Sequence, residues 1–489
     1  MSARRSHIFI LSFFLGVLGC SSGTGGAAGQ GGASANGGTP GKGGATSSGG
    51  ATSSGGATGS GGATGSGGAT GSGGAAGSGG AAGSGGVTGS GGRSSGGASS
   101  SGGTTSPGGA TAAAGRTGSG GATGGAAGAA GAGSNNVLAA TPPMGWNSWN
   151  KFGCNISDSE VRAIADAMAS NGMKDVGYEY VNIDDCWQTS RDSSGTIVPG
   201  SNFPNMKSLA DYVHGKGLKL GVYSDRGTKT CAGRPGSQGY ETQDANTYAA
   251  WGVDYLKYDN CNVTLDQKTQ YTTMSNALKA SGRPIVFSIC AWAFASWMSS
   301  VGNLWRTTGD ISADWNSIMS NMETNQALAQ YAGTGHWNDP DMLEVGNGGL
   351  SDDQNRAHFG LWCMMAAPLI AGNDLRSMST SVKAVLTAAE VIAVNQDPLG
   401  VQGTRISGKG SLEVWKKKLS GTNTVAVGLF NRTSAAADIP VKWSDVGLPA
   451  GAATVRDLWG KADLGSFTDT YTAKSVPSNG MAMLKIASQ

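Results

Sequence analysis

Two short segments hold the side chains best suited to bond-breaking chemistry. Tyr255-Leu-Lys-Tyr-Asp259-Asn-Cys261 reads as an apolar strand that delivers Lys257, Asp259 and Cys261 at its end. Trp305-Arg-Thr-Thr-Gly-Asp310 brings Arg306 and a second aspartate to the end of another such run. Paired carboxylates among aromatic and cationic side chains suit glycoside hydrolysis, in which one attacks the sugar and one handles the leaving-group proton. A lone aspartate at either place would read as a turn former or an N-cap. The two acids gain their meaning from the pattern around them.

That pattern is apolar strand, polar loop and helix, repeated over 137–398. Candidate strands are Met144-Gly-Trp and 178–184, 218–224, 253–259, 285–290, 303–307, 334–338 and 368–372. Candidate helices cover 159–170, 206–216, 238–250, 265–280, 313–331 and 351–365, with Asp158 and Ser351 as N-caps. Gly172, Gly217, Gly252 and Gly282 fall where these helices should stop. Strands alternating with helices predict a parallel sheet, and this many in such a length predict a (β/α)8 TIM barrel. Trp149, Asp184, Asp185, Tyr223, Asp225, Lys257, Asp259, Arg306, Asp310, Asp339 and Asp341 then all lie at or just beyond C-terminal strand ends. Unrelated surface carboxylates would scatter over both faces. Asp225 and Asp339 read equally well as a loop cap and a turn before Pro340. Trp187, Trp251 and Trp305 read as barrel core.

The remainder of the chain frames this domain. Residues 1–20 combine Arg4 and Arg5 with a short apolar run and end in Val17-Leu-Gly-Cys20, a secretory signal resembling the bacterial lipoprotein box. Cys20 is then the expected lipidation site, and the expected location is the bacterial cell surface or outer membrane, with simple secretion as the alternative. Residues 21–136 are Gly, Ser, Thr and Ala with Lys42, Arg93 and Arg116 as the only charges. Such a segment predicts a flexible linker with a reach of about 60 Å. From 399 to 489, short period-two runs such as Thr424-Val-Ala-Val-Gly-Leu-Phe-Asn431 predict an antiparallel β-sandwich. The net charge of +2 argues against a nucleic-acid partner. The four histidines form no spaced Cys/His cluster, so neither metal nor cofactor is expected. No Gly-x-Ser-x-Gly elbow supports a serine hydrolase.

Six motifs, in order, resemble glycoside hydrolase family 27, the family of α-galactosidases and α-N-acetylgalactosaminidases. They are Thr141-Pro-Pro-Met-Gly-Trp-Asn-Ser-Trp149, Asn182-Ile-Asp-Asp-Cys-Trp187, Tyr223-Ser-Asp-Arg-Gly-Thr-Lys-Thr-Cys231, Tyr255 to Cys261, Trp305 to Asp310 and Trp337-Asn-Asp-Pro-Asp-Met342. The resemblance implies an exo-acting, retaining α-galactosidase with Asp259 as nucleophile and Asp310 as acid/base. It places Asp184 and Asp185 on O4 and O6 of galactose, Lys257 on O3 and O4, and Arg306 on O2. Trp149 and Tyr223 become apolar walls, and Cys231, Cys261 and Asp341 join the substrate-binding set. It also implies disulfides Cys154–Cys186 and Cys231–Cys261. Gly302 stands where some relatives carry a partner for Cys290, so Cys290 and Cys363 are expected as buried thiols. Nearby Lys257 and Arg306 should keep Asp259 ionised, whereas Asp310 needs a drier or more anionic setting to hold its proton.

One departure concerns C2 of the sugar. Family α-galactosidases commonly carry a glutamate where this chain has Ala291, and the α-N-acetylgalactosaminidases a small residue. Ala291 therefore predicts space near C2, which Phe294 would refill. Alternative activities are α-N-acetylgalactosaminidase and β-L-arabinopyranosidase. A catalytically dead carbohydrate-binding surface protein would have lost one of the two acids, and both are present.

Overall fold

The computed structural model describes residues 137–488. The signal segment, Cys20 and the linker up to 136 lie outside the described residues. Eight parallel strands form one sheet: β1 Met144–Asn147, β2 Tyr180–Asn182, β3 Lys219–Asp225, β4 Tyr255–Asp259, β5 Val286–Ile289, β6 Leu304–Arg306, β7 Trp337–Asp339 and β8 Leu369–Ala371. The order is β8-β1-β2-β3-β4-β5-β6-β7. β7 and β8 do not pair along their lengths. The sheet is closed by the chain just after β7, where the Leu343 amide donates to the Ile370 carbonyl at 2.7 Å and the Leu343 carbonyl accepts the Gly372 amide at 3.0 Å. Sequence periodicity gave no sign of this seam, because a single bridging residue has no pattern.

The helices cover the outer face for ordinary amphipathic reasons. α1 Asp158–Ser170 buries Val161, Ile164, Ala165 and Met168, a single 3.6-period stripe. Its N-cap is Ser157, whose hydroxyl accepts the Glu160 amide, so Asp158 is the first helical residue rather than the cap. α2 Met206–Gly215 buries Met206, Leu209, Ala210 and Val213 in the same way. α3 Glu241–Trp251, α4 Gln267–Ala280 and α5 Trp315–Gln326 follow. α5 stops before the expected 331, and a separate 3-10 turn covers Ala329–Tyr331. α6 Asp352–Met364 opens on a full capping box between Ser351 and Gln354. α7 Thr380–Leu386 and α8 Ala389–Asn395 complete the set. Trp187 and Trp305 are fully buried and Trp251 packs edge-on against Trp187, as core residues should. Among the described residues, no helix is long and apolar enough to cross a membrane.

The C-terminal region contains β9 Thr404–Ser407, β10 Leu412–Lys418, β11 Thr424–Asn431, β12 Ala437–Lys442, β13 Ala452–Asp457, β14 Ala462–Thr468, β15 Thr470–Val476 and β16 Met481–Ser488. They form an antiparallel six-stranded sheet, β9-β10-β11-β16-β13-β14, and a two-stranded sheet, β12-β15. Val427, Leu429, Ile439, Val441, Val455 and Ile486 fill the space between the two. β14 has no buried residue, so it offered no alternating signal and is held by its backbone ladder to β13.

The sandwich packs on the barrel through α6, where Gly360 lies against Met481 and Met483. A charged cluster fixes the seam. Glu323 of α5 accepts Arg405 at 2.7 Å and Arg432 at 2.6 Å, and the fully buried Glu413 receives both arginines at 3.0 Å. Lys417 is also buried there, with only the Cys363 and Asn395 carbonyls near its ammonium, at 3.5 Å each. Burial therefore pushes its pKa down to about 8. A folded pKa below the unfolded one makes charging the lysine unfavourable to the fold. Stability should thus rise as pH climbs from about 8 toward the unfolded value. Lys417→Met is expected to stabilise the protein at pH 7 by about 1–3 kcal/mol and to flatten that rise, as thermal melts across pH will show.

Candidate active site

The C-terminal ends of the strands surround a narrow pit of about 100 Å³. Strand geometry explains its composition, because residues at successive barrel strand ends point into a common mouth. Its walls include Trp149, Asp184, Asp185, Tyr223, Cys231, Lys257, Asp259, Arg306, Asp310 and Asp341. Of the residues expected at the site, Cys261 alone does not line it; its sulfur is joined to Cys231 just behind the rim. Larger hollows of about 430 and 670 Å³ lie elsewhere on the surface, and neither is lined by a carboxylate.

Asp259 ends β4 and is 6% exposed. Burial raises its pKa, while Lys257 pulls it back toward the charged form. Lys257 does not bond the nucleophile candidate directly. Its ammonium sits 2.7 Å from Asp184 Oδ2 and 5.3 Å from the centre of the Tyr223 ring. Burial opposes the lysine charge, but Asp184, Cys290 and Asp259 outweigh it and hold the ammonium protonated. Asn147, at the end of β1, donates to the same Asp184 oxygen at 2.7 Å and accepts the Trp149 amide at 2.8 Å. Asp184 Oδ1 takes the Asp185 amide. A carboxylate offers about four lone-pair directions, so Asp184 keeps capacity for a further donor.

Arg306 ends β6, is 4% exposed, and divides its guanidinium between Asp341 at 2.7 Å and Asp310 at 3.1 Å. Asp341 also accepts the Ile311 amide, which ties the Asp310 loop to the end of β7. Asp310 itself is 75% exposed in its side chain. This reverses the sequence expectation: the buried, drier acid is Asp259, and Asp310 stands at the rim against a cation. The reason is local. Asp310 lies four residues past Arg306 on a loop, whereas Asp259 is still within its strand.

Asp225 and Asp339, read as either cap or site residue, are both buried and both accept backbone amides. Asp225 takes Gly227 and Cys261, and Asp339 takes Asp341. Burial raises Asp225 to about 7 and Asp339 to about 6. Asp225 and the sulfurs of Cys231 and Cys261 lie within metal-ligand reach of one another. The sulfurs are bonded together, which removes them as thiolate ligands. Cys154 is joined to Cys186, and Cys290 and Cys363 are buried free thiols.

Asn150, Trp292, Ile311 and Met342 line the pit without having been singled out in the sequence. Trp292 bears on the expectation made for Ala291. Ala291 is 5% exposed, belongs to the core cluster and is not part of the wall. A backbone turn at Trp292, with φ 57°, follows β5, and the Trp292 side chain reaches the pit instead. Phe294 stacks on Tyr331 at 4.3 Å and does not refill the site. Only a positive φ, invisible in sequence, marks the position.

Residues 141–397 match the family model described as alpha galactosidase A, and 409–486 match the alpha galactosidase C-terminal beta sandwich domain. An alpha-galactosidase of Cyamopsis tetragonoloba is 54% identical over 335 residues, covering 67% of this chain and 81% of the relative. Alpha-galactosidase A of Cellvibrio japonicus is 47% identical over 378 residues, covering 72% and 93%. The crystal structure of alpha-galactosidase I from Mortierella vinacea superposes with a TM-score of 0.70 at 40% identity, covering 72% of this chain and 98% of that one. The chain belongs to the α-galactosidase (melibiase) family of glycoside hydrolases.

The charge arrangement makes one prediction directly. Lys257 holds the Asp259 pKa down, so Lys257→Met is expected to let it rise. The acid limb of kcat/KM, which reports the free enzyme's base, should move to higher pH. An unmoved limb would separate Lys257 from the ionisation of Asp259.

Proposed function

We propose that this protein is an exo-acting, retaining α-galactosidase that removes terminal non-reducing α-D-galactosyl residues. The observation that carries the reading is the confinement of Asp259 and Asp310 to one blind pit beside Asp184, Lys257 and Arg306. A pit this narrow suits a single terminal sugar rather than the middle of a chain. Asp259 attacks the anomeric carbon while Asp310 protonates the departing oxygen, giving a glycosyl-enzyme ester. Asp310 then takes a proton from the water that releases the sugar. The exposed position of Asp310 serves this sequence, since it must meet first an aglycone and then a water. A sugar seated in the pit would cover it and supply the dry setting it otherwise lacks.

In this reading Asp184 and Asp185 accept from O4 and O6, Lys257 donates to O3 and O4, Arg306 reaches O2, and Trp149 and Tyr223 cover apolar C–H faces. Cys231 and Cys261 supply a disulfide edge, and Asp341 holds Arg306. Trp292 closes the C2 side, which favours galactose over the bulkier N-acetylgalactosamine. The test is hydrolysis of p-nitrophenyl α-D-galactoside beside the α-N-acetylgalactosaminide and β-L-arabinopyranoside. The first is expected to be fastest. Asp259→Asn is expected to abolish turnover, and Asp310→Ala to lower it by about 10²–10⁴-fold, least with the activated nitrophenyl leaving group.

We infer further that the chain is exported and anchored by lipid at Cys20, with 21–136 as tether. Supporting this are the charged start, the short apolar run and the small residue before Cys20. Palmitate labelling in the native host is expected for the parent chain and absent for Cys20→Ser; labelling that survives the substitution would refute the anchor.

A further inference from the structure

Resting on the α-galactosidase reading, we propose that Asp225 is a positioning residue that sets the disulfide edge of the sugar pit relative to Asp259. Asp225 is the last residue of β3 and lies in register directly beside Asp259 of β4. It is fully buried behind the wall and does not itself line the pit, so binding and bond cleavage leave it without a direct task. Its two oxygens face different segments. Oδ1 accepts the Gly227 amide at 2.6 Å, at the start of the loop carrying Cys231; Oδ2 accepts the Cys261 amide at 2.8 Å, just past Asp259. One carboxylate therefore clamps the backbones on both sides of the Cys231–Cys261 bridge.

Other bonds also join the two segments: the Arg226 and Thr228 amides donate to the Asp259 and Asn262 carbonyls at 3.1 and 3.3 Å, and Asn262 donates to the Thr230 carbonyl at 2.9 Å, but Asp225 is the carboxylate that reaches both backbones. The loop from 226 to 237 leaves β3 and returns to it, closing where the Ser237 amide donates to the Asp225 carbonyl at 2.8 Å. At Gly227 a Cβ would stand 2.1 Å from the Cys261 carbonyl, so the two backbones are in direct contact. Cys231 Sγ is 3.9 Å from Asp225 Oδ2 and, as a disulfide sulfur, has no proton to give. The Ala232 amide, next to Cys231, donates to Asp185 Oδ2 at 2.9 Å. A shift at Cys231 would therefore reach a sugar-binding carboxylate as well as the rim. An amide in place of the carboxylate cannot satisfy this arrangement. Both partners are N–H donors, and an asparagine NH₂ would oppose one of them.

The test is steady-state kinetics on p-nitrophenyl α-D-galactoside with the purified full chain, Asp225→Asn, the Cys231→Ser/Cys261→Ser pair and the triple variant. Asp225→Asn is expected to raise KM about tenfold with kcat within about threefold, the scale of one charge-assisted hydrogen bond. If Asp225 acts through the bridged edge, the triple variant should be no worse than the cysteine pair. A merely structural role would lower the melting temperature and leave KM unchanged well below the melt; that result, or additive losses, overturns the proposal. Hydrogen exchange of the parent protein gives a check that needs no variant to fold. The Gly227 and Cys261 amides should exchange slowly in peptides covering them, and rapid exchange also overturns the proposal. A parent protein without activity on the galactoside would instead refute the functional reading.

Discussion

Charge compensation at the barrel mouth is the constraint on which the rest of this structure depends. Asp184, Asp185, Asp259, Asp310 and Asp341 crowd one small pit, and only Lys257 and Arg306 offset them there. Each cation is committed mainly to a carboxylate other than Asp259, Lys257 to Asp184 and Arg306 to Asp341. Such pairing lowers the desolvation penalty of burying so many acids and fixes the side chains before a substrate arrives. It also leaves Asp259 under two opposed influences, burial raising its pKa and Lys257 lowering it. In the proposed mechanism, a nucleophile balanced in this way can stay anionic without being held by a direct ion pair that would blunt its attack.

The fold exists to hold those strand ends at fixed spacing. Parallel register sets Asp225 beside Asp259, and Arg306 beside Asp339 on β7. The outer helices anchor this by ordinary burial, and the sandwich braces α5 and α6 from one side. The Glu323–Arg405–Arg432–Glu413 cluster joins residues up to 109 positions apart, so it ties the two domains rather than either alone. Lys417 is buried at the same seam with no carboxylate bonded to it, so burial opposes its charge.

What was legible in the sequence follows from what has a local signature. The barrel strands were found as apolar runs alternating with helical patterns, five of them with a charged residue at or just past the end, and Gly217 and Gly252 marked helix ends because both adopt left-handed backbone there. The placement of Asp184, Lys257 and Asp341 around one pit followed from strand ends alone. Features decided by tertiary geometry were not legible. Leu343 closes the barrel through one bridge. β14 is solvent-facing along its length except at Phe467, which is half-buried against the sandwich core. Trp292 reaches the sugar pit because of a positive φ, while its neighbour Ala291, the more conspicuous residue by resemblance, turns into the core. Asp310 was expected in the drier setting, and the loop after Arg306 places it at the rim instead.

The central claim is that the acids at 259 and 310 work as a nucleophile and an acid/base in two successive displacements at one anomeric centre. Proton NMR of the sugar released in the first moments of hydrolysis, before mutarotation, tests this most directly. The account predicts that α-galactose appears first and the β-anomer only later. Initial release of β-galactose would mean a single displacement by water, and would contradict it.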